Sequence, residues 1–218
     1  MPWSYSVLDS FETCPRRHYL IKISKQVVEP QTEALMWGNK VHKALEHRLV
    51  NSVPLPTEMA AYEPFAASVV AKGVGGQLRA EQKLALTSSY TPTTFFAKDV
   101  WVRGITDFDI EKGTRLFIGD WKTGKVNPNS AQMKLMAGFG FATKPWITEI
   151  TTSFIWLNAG EVTTEKFVRE DAPQIWQGFL PRVARLDAAI AKQDFPPKPS
   201  GLCKKWCPVP LSMCEHRG

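Results

Sequence analysis

The sequence predicts an α/β (α+β) domain in which helices flank a central mixed β-sheet. Three observations carry that expectation. Helical periodicity gives way to strand periodicity near residue 79. The elements then run in the order helices, β-meander, helix, strands, helix. The chain's 218 residues suffice for one domain with a sizeable core and are few for two.

Residues 4–23 read as a helical start, with Ser6 as N-cap and Val7, Leu8 and Phe11 apolar on nearby turns. Pro15, directly after Cys14, breaks or restarts that helix. A second helix spans 35–50, where Leu35, Gly38, His42, Leu45 and Leu49 share one face by their spacing. Pro54 and Pro56 close it, and a third helix covers 57–72 before the loop at Gly73, Gly75 and Gly76. Strands follow at 79–86, 94–102, 104–110 and 115–122, with residues 111–114 as a turn. A helix from 130 to 142 precedes strands at 149–157 and 162–168. The last long helix spans 171–192, with Pro173 in its first turn and Pro181 as a kink. From Phe195 the tail is rich in proline and cysteine and reads as irregular.

Composition is 44% hydrophobic and 22% charged, which fits a globular chain and excludes a disordered one. No apolar run reaches the length of a membrane span, and no signal-peptide layout opens the chain, so cytoplasmic residence is expected. A net charge of +6 suits an acidic partner. Basic residues beside aromatics, as in Arg16-Arg17-His18-Tyr19 and Lys204-Lys205-Trp206, suit phosphate contacts and base stacking. Cys14 stands alone near the start, whereas Cys203, Cys207 and Cys214 crowd the last sixteen residues; clustered thiols in a reducing compartment point to metal.

The strongest local signal is Gly104-Ile105-Thr106-Asp107 followed by Asp120-Trp121-Lys122. Strand alternation puts Asp120 and Lys122 on one face. An ordinary hairpin through 111–114 sets Asp107 opposite Ile118 and diagonal to Asp120, close enough for two carboxylates to share an ion. Phosphodiester hydrolysis needs that chemistry. A carboxylate-held Mg²⁺ or Mn²⁺ neutralises phosphate charge and yields hydroxide near neutral pH, and a neighbouring lysine stabilises the charged transition state. Asp109 shares the face of Asp107 and Asp99 lies nearby. The competing reading is a surface hairpin with solvated charges.

Taken in order, the motifs resemble the RecB-like branch of the PD-(D/E)XK nuclease superfamily, which includes the AddB nuclease domain and the iron–sulfur CRISPR-adaptation exonucleases. Tyr5-Ser6 through Cys14-Pro15-Arg16 resembles the N-terminal element, and Gly38-Asn39-Lys40-Val41-His42 the G-x-x-x-H helix. Gly104 to Asp107 resembles G-x-x-D, and Asp120 to Lys122 with Thr123-Gly124-Lys125 resembles (D/E)-x-K. Gln132 resembles the glutamine of Q-x-x-x-Y, whose tyrosine is Met136 here. The resemblance implies a restriction-endonuclease-like core spanning 1–218. His42, Asp107, Asp120 and the Trp121 carbonyl would hold the metal, Lys122 would be catalytic, and Gln132 would place the strand or the site. Glu81 falls where some members carry a further acid, but no motif pins it, and its expected role is structural.

In the iron–sulfur members one cysteine before the core joins three after it around a [4Fe-4S] cluster. Cys14, Cys203, Cys207 and Cys214 share that distribution, which would join segments 1–25 and 195–218. The spacing C-x3-C-x6-C departs from the family's C-x2-C-x5-C, so structural Zn²⁺, with His18 or His216 as substitute ligands, stays open. The implied activity is a metal-dependent deoxyribonuclease, an exonuclease of recombination, replication or repair, acting on single-stranded DNA or free ends. No G-x-x-x-x-G-K-(S/T) motif occurs, so unwinding would fall to a helicase or recombination partner. A bacterial or phage source is expected. The alternative is a non-catalytic DNA-binding or assembly module descended from such a nuclease.

Overall fold

A computed structural model describes residues 1–127 and 131–216. The elements are α1 (Tyr5–Thr13), α2 (Pro15–His18), α3 (Glu33–Asn51), α4 (Glu63–Gly73), β1 (Gln77–Leu86), β2 (Val102–Lys112), β3 (Arg115–Lys122), α5 (Ala131–Thr143), β4 (Glu149–Trp156), β5 (Glu161–Val168), α6 (Ala172–Lys192) and α7 (Leu202–Lys205). The chain divides into two compact units. One holds Met1, Trp3–Thr32 and Gln177–Gly218; the other holds Pro2 and Glu33–Trp176.

The second unit is the α/β fold expected from the sequence. Its sheet runs β1-β2-β3-β4-β5, with β3–β4 parallel and the other pairs antiparallel. A parallel neighbour needs a long crossover, and α5 supplies it between β3 and β4. On one sheet face Phe108, Ile110, Trp121 and Ile155 pack with Val41, Leu45 and Leu49 of α3 and Val69 of α4. Against the other face, α5 is apolar all round and buried from Met133 to Phe141 apart from Lys134, as such a helix must be. Met136 lies in that buried run. Gly119 permits a close approach within the sheet: a Cβ there would lie 2.0 Å from the Phe108 ring.

Several expectations need correction. Residues 94–101 form turns rather than a strand, held by Ala97 N–H to Thr94 O (3.0 Å) and Thr93 Oγ1 to Asp99 (3.0 Å). β-Rich composition misled there: among the described residues the stretch joins no strand ladder, although Trp101 N–H reaches Leu86 O at 2.8 Å. Ser4, not Ser6, caps α1, accepting Val7 N–H at 3.3 Å. On α3 the buried face is Val41, Leu45 and Leu49, while Leu35 is 51% exposed. The predicted helix at 57–72 is a 3₁₀ turn (Thr57–Tyr62) running into α4, with Pro64 in the first turn of the α-helix. The tail contains the short α7. The β2–β3 turn is two residues, Gly113-Thr114, since Lys112 pairs with Arg115. That register sets Asp109 opposite Ile118, where the longer turn had put Asp107. The predicted helix start at Ser130 lies outside the described residues.

The other unit includes α1, α2, a π-helical turn (Tyr19–Ile23) and the C-terminal tail. Pro15 restarts the helix at its first position, where its missing N–H costs nothing. Arg182 of α6 forms a two-point pair with Glu12 (2.6 and 2.8 Å). A small cluster of Leu20, Ile21, Val27 and Val209 packs beside Cys207 and Cys214.

Candidate active site

Two strands change face at the same level of the sheet. On β2, Ile105 and Asp107 line a cleft with His42 of α3, yet Phe108 and Ile110 join the core beneath α3. Strict alternation would send Phe108 to the opposite face from Asp107. On β1, Leu78 and Ala80 pack in that core, whereas the adjacent Glu81 opens into the cleft. Glu81 has φ +50°, the left-handed region that non-glycine residues avoid. The ladder of β1–β2 pairs accordingly skips from Ala80–Phe108 to Gln82–Thr106. The distortion delivers two carboxylates to the α3 side at the point where α3 presents His42.

Ligand atoms of His42, Glu81 and Asp107 all lie within 4.8 Å of one another. Asp107 is fixed at both oxygens. Its Oδ1 meets His42 Nδ1 at 3.1 Å, and its Oδ2 accepts the Trp121 N–H at 2.6 Å. The Trp121 ring is buried and packs on Phe108 with centroids 4.8 Å apart, which anchors that donor.

The residues of β3 form a second, contiguous group. Lys122 Nζ lies 2.7 Å from Asp120 Oδ2 and donates to Gln132 Oε1 at 2.9 Å. The Gln132 amide donates to Asp120 Oδ1 at 2.7 Å, closing a triangle between β3 and α5. The ammonium also sits 4.6 Å from the Phe154 ring centroid. Asp120 Oδ2 has that ion pair but no well-aligned hydrogen bond, and it is buried. Asp120 falls outside the three-residue group of His42, Glu81 and Asp107.

Electrostatics tie the two groups together. Burial, with the nearby charge of Asp107, pushes Asp120 up to about 6 despite the opposing Lys122 and His42. Burial pulls the His42 imidazolium down. The hydrogen bond and charge of Asp107, with Asp120 and Glu81, outweigh that effect and leave its pKa above the ordinary value. Burial and Asp107 hold Glu81 above the usual carboxylate range. Crowded carboxylates with raised pKa values, beside a cation, make a site poised for a further positive charge.

The structure thus brings together His42, Asp107, Trp121, Asp120, Lys122 and Gln132, all singled out in the sequence, and sets Glu81, expected to be structural, in the cleft with His42 and Asp107. The Glu81 backbone distortion has no signature in residue type or spacing. Asp109 lies elsewhere: it pairs with Arg79 (2.9 Å) and is buried. Asp99 belongs to the 94–101 turns. In the other unit, all four cysteines line one small pocket with Arg16, Arg17, Lys198 and His216. None is in a disulfide. Backbone N–H groups of Lys198 and Ser200 lie 3.4 and 3.3 Å from Cys14 Sγ and Cys203 Sγ. Among the described residues, no three thiols lie within 4.8 Å of one another. Among them, too, no helix is long and apolar enough to cross a membrane.

The family model for the PD-(D/E)XK nuclease superfamily matches residues 2–215. A solved structure described as a "putative exonuclease" from Eubacterium rectale is similar in fold, with TM-score 0.56 at 10% identity, covering 94% of this chain and 86% of that one. A second, described as SSO0001, has TM-score 0.43 at 12% identity, covering 98% of this chain and 85% of that one. No curated protein matches the chain.

Proposed function

The chain belongs to the PD-(D/E)XK nuclease superfamily, and from that premise we propose that it is a divalent-metal-dependent deoxyribonuclease that acts from DNA ends. The observation that carries this reading is the convergence of His42, Glu81 and Asp107 beside the Asp120–Lys122–Gln132 triangle.

The donor set fits a hard divalent ion. Octahedral Mg²⁺ with ligands at about 2.1 Å sets adjacent oxygens about 3 Å apart and opposite ones about 4 Å apart. Ligand atoms already within 4.8 Å need only a small closure. His42, Glu81 and Asp107 would hold the ion, with Asp120 joining from β3. When bound, the ion lowers the pKa of a water and neutralises charge on the phosphate.

The protein's own groups do the rest. His42 and the Trp121 N–H fix both oxygens of Asp107, so the carboxylate is oriented in advance. Lys122, held by Asp120 and Gln132, presents a fixed positive charge where negative charge develops on the phosphate oxygens. In the reaction the water oxygen bonds to phosphorus and gives up a proton to solvent, the P–O bond to the leaving sugar oxygen breaks, and that oxygen takes up a proton from solvent.

The test is Mn²⁺-dependent degradation of end-labelled single-stranded DNA by wild type and Lys122→Ala. Loss of the lysine lowers the rate by roughly 100-fold or more, the usual cost of removing one preorganised charge partner. Equal rates would remove Lys122 from the mechanism, and no activity in either protein would favour a DNA-binding module. A covalently closed single strand resists cleavage if ends are required.

We also assign a [4Fe-4S] cluster to Cys14, Cys203, Cys207 and Cys214. Four thiols lining one pocket supply the cysteine set that such a cluster takes. The N–H groups directed at Cys14 and Cys203 are the hydrogen bonds to sulfur that such clusters use. Iron and labile sulfide in brown, anaerobically purified protein support the assignment; colourless protein with stoichiometric zinc overturns it.

A further inference from the structure

Outward from Asp107 along β2, the same sheet face carries Ile105 and then Arg103, while β1 sets Lys83 opposite Ile105 and Ala85 opposite Arg103. Ile105 lines the cleft and is 46% exposed. At the far end stand the aromatics of the 94–101 turns. Arg103 lies 5.4 Å from the Phe95 ring, Lys83 lies 6.0 Å from the Phe96 ring, and the two rings meet edge to face at 5.1 Å. Phe96 is 79% exposed, so its ring is accessible beside the Lys83 cation.

We propose that this stripe is the binding track for single-stranded nucleic acid, with Lys83 and Arg103 on the phosphates and Phe96 stacking a base. The proposal rests on the nuclease reading and adds the residues that would select the strand. Strand geometry supplies the ruler. Asp107 to Arg103 spans four residues, about 13 Å at roughly 3.3 Å each, which is about two nucleotides of extended backbone. Cations beside an exposed ring form the sequence-tolerant platform that single strands use, since every base has a π-face. A duplex buries those faces in its own stack and offers the ring nothing. The selection is therefore for unpaired bases next to the phosphate being cut.

The test uses fluorescence anisotropy of labelled oligothymidine and of a blunt duplex with the full chain in EDTA, where no turnover occurs. Phe96→Ala weakens single-strand binding roughly 5- to 100-fold, and Phe96→Trp restores it. Duplex binding is unchanged. Lys83→Ala and Arg103→Ala each flatten the log–log salt dependence of single-strand binding by about 0.7. Hydrolysis of bis(p-nitrophenyl) phosphate by the wild type with Mn²⁺, a substrate too short to reach Phe96, tests the nuclease reading apart from the track. Failure of wild type to hydrolyse that ester would count against the nuclease reading and leave the binding result standing. Unchanged single-strand affinity in Phe96→Ala, or an equal loss for duplex, overturns the track.

Discussion

Asp120 shows how a single buried carboxylate trades stability for a site. Its pKa is raised from 3.8 to about 6, first by burial and then by Asp107. A carboxyl raised in the folded state favours folding while protonated. That advantage disappears as pH climbs from the unfolded value towards 6, so ionised Asp120 penalises the ion-free protein at pH 7. Asp120→Asn should therefore raise the thermal stability of the protein in EDTA at pH 7 by on the order of 1 kcal/mol, and the difference should vanish near pH 4. Adding Mn²⁺ reverses the ranking, because the wild type alone keeps the full ligand set and gains about 2.7 kcal/mol at 100 times its dissociation constant. Melting curves with and without the ion decide it; a less stable Asp120→Asn in EDTA would remove the electrostatic account. Residue type and strand spacing pointed to Asp120 and Lys122, and the family resemblance to Gln132; the structure sets the three side chains in contact. Glu81 was expected to be structural because a backbone at φ +50° delivers it to the cleft, and side-chain periodicity assumes regular backbone.

Elements were legible where pattern and pairing agree, as in α3, β4, β5 and α6. They failed where propensity stood without a partner strand, as in residues 94–101. The register of β2 on β3 depended on whether the turn took two residues or four, which alternation cannot decide. What secures the turn end of that hairpin is Glu111, which accepts from Arg79 of β1 (2.7 Å) and, beyond α5, from Lys144 (2.9 Å) and Trp146 (2.7 Å). Burial works against its charge, but those three donors win and hold it down at about 2. A depressed carboxyl contributes stability above the unfolded value of 4.5, lost as pH falls through 2. Glu111→Gln should cost about 1.5–3 kcal/mol at pH 7, the usual range for hydrogen bonds to a charged group. The variant should also show a shallower loss of stability between pH 4.5 and 2. Urea denaturation across that window measures both, and parallel curves for the two proteins would show that the latch contributes nothing.

At the scale of the whole chain, the net charge of +6 and the four cysteines were plain in the sequence, whereas the division into two units was not. The unit that contains both terminal segments has an unusual economy in its tail. From Pro196 to His216, Val209 alone is buried, so apolar burial gives this stretch almost nothing against its chain entropy. What remains are polar ties, such as Lys198 Nζ to Glu12 O (2.6 Å) and Arg16 N–H to Pro196 O (3.2 Å), and the thiols gathered in one pocket. Small segments without a core need a covalent or metal tie. Replacing Cys207 by alanine should therefore abolish the visible absorbance that the proposed cluster would give and open residues 196–216 to rapid proteolysis, several-fold or more faster than in wild type. The sheet-bearing unit draws its stability from its own core between strands and α3, α4 and α5. Its thermal transition should move little, and Mn²⁺-dependent hydrolysis of a short phosphodiester should persist. Mass spectrometry of the nicked fragments, read beside calorimetry, separates the two effects. A tail equally protected in wild type and Cys207→Ala would show that the thiols hold no cofactor and that the polar ties suffice.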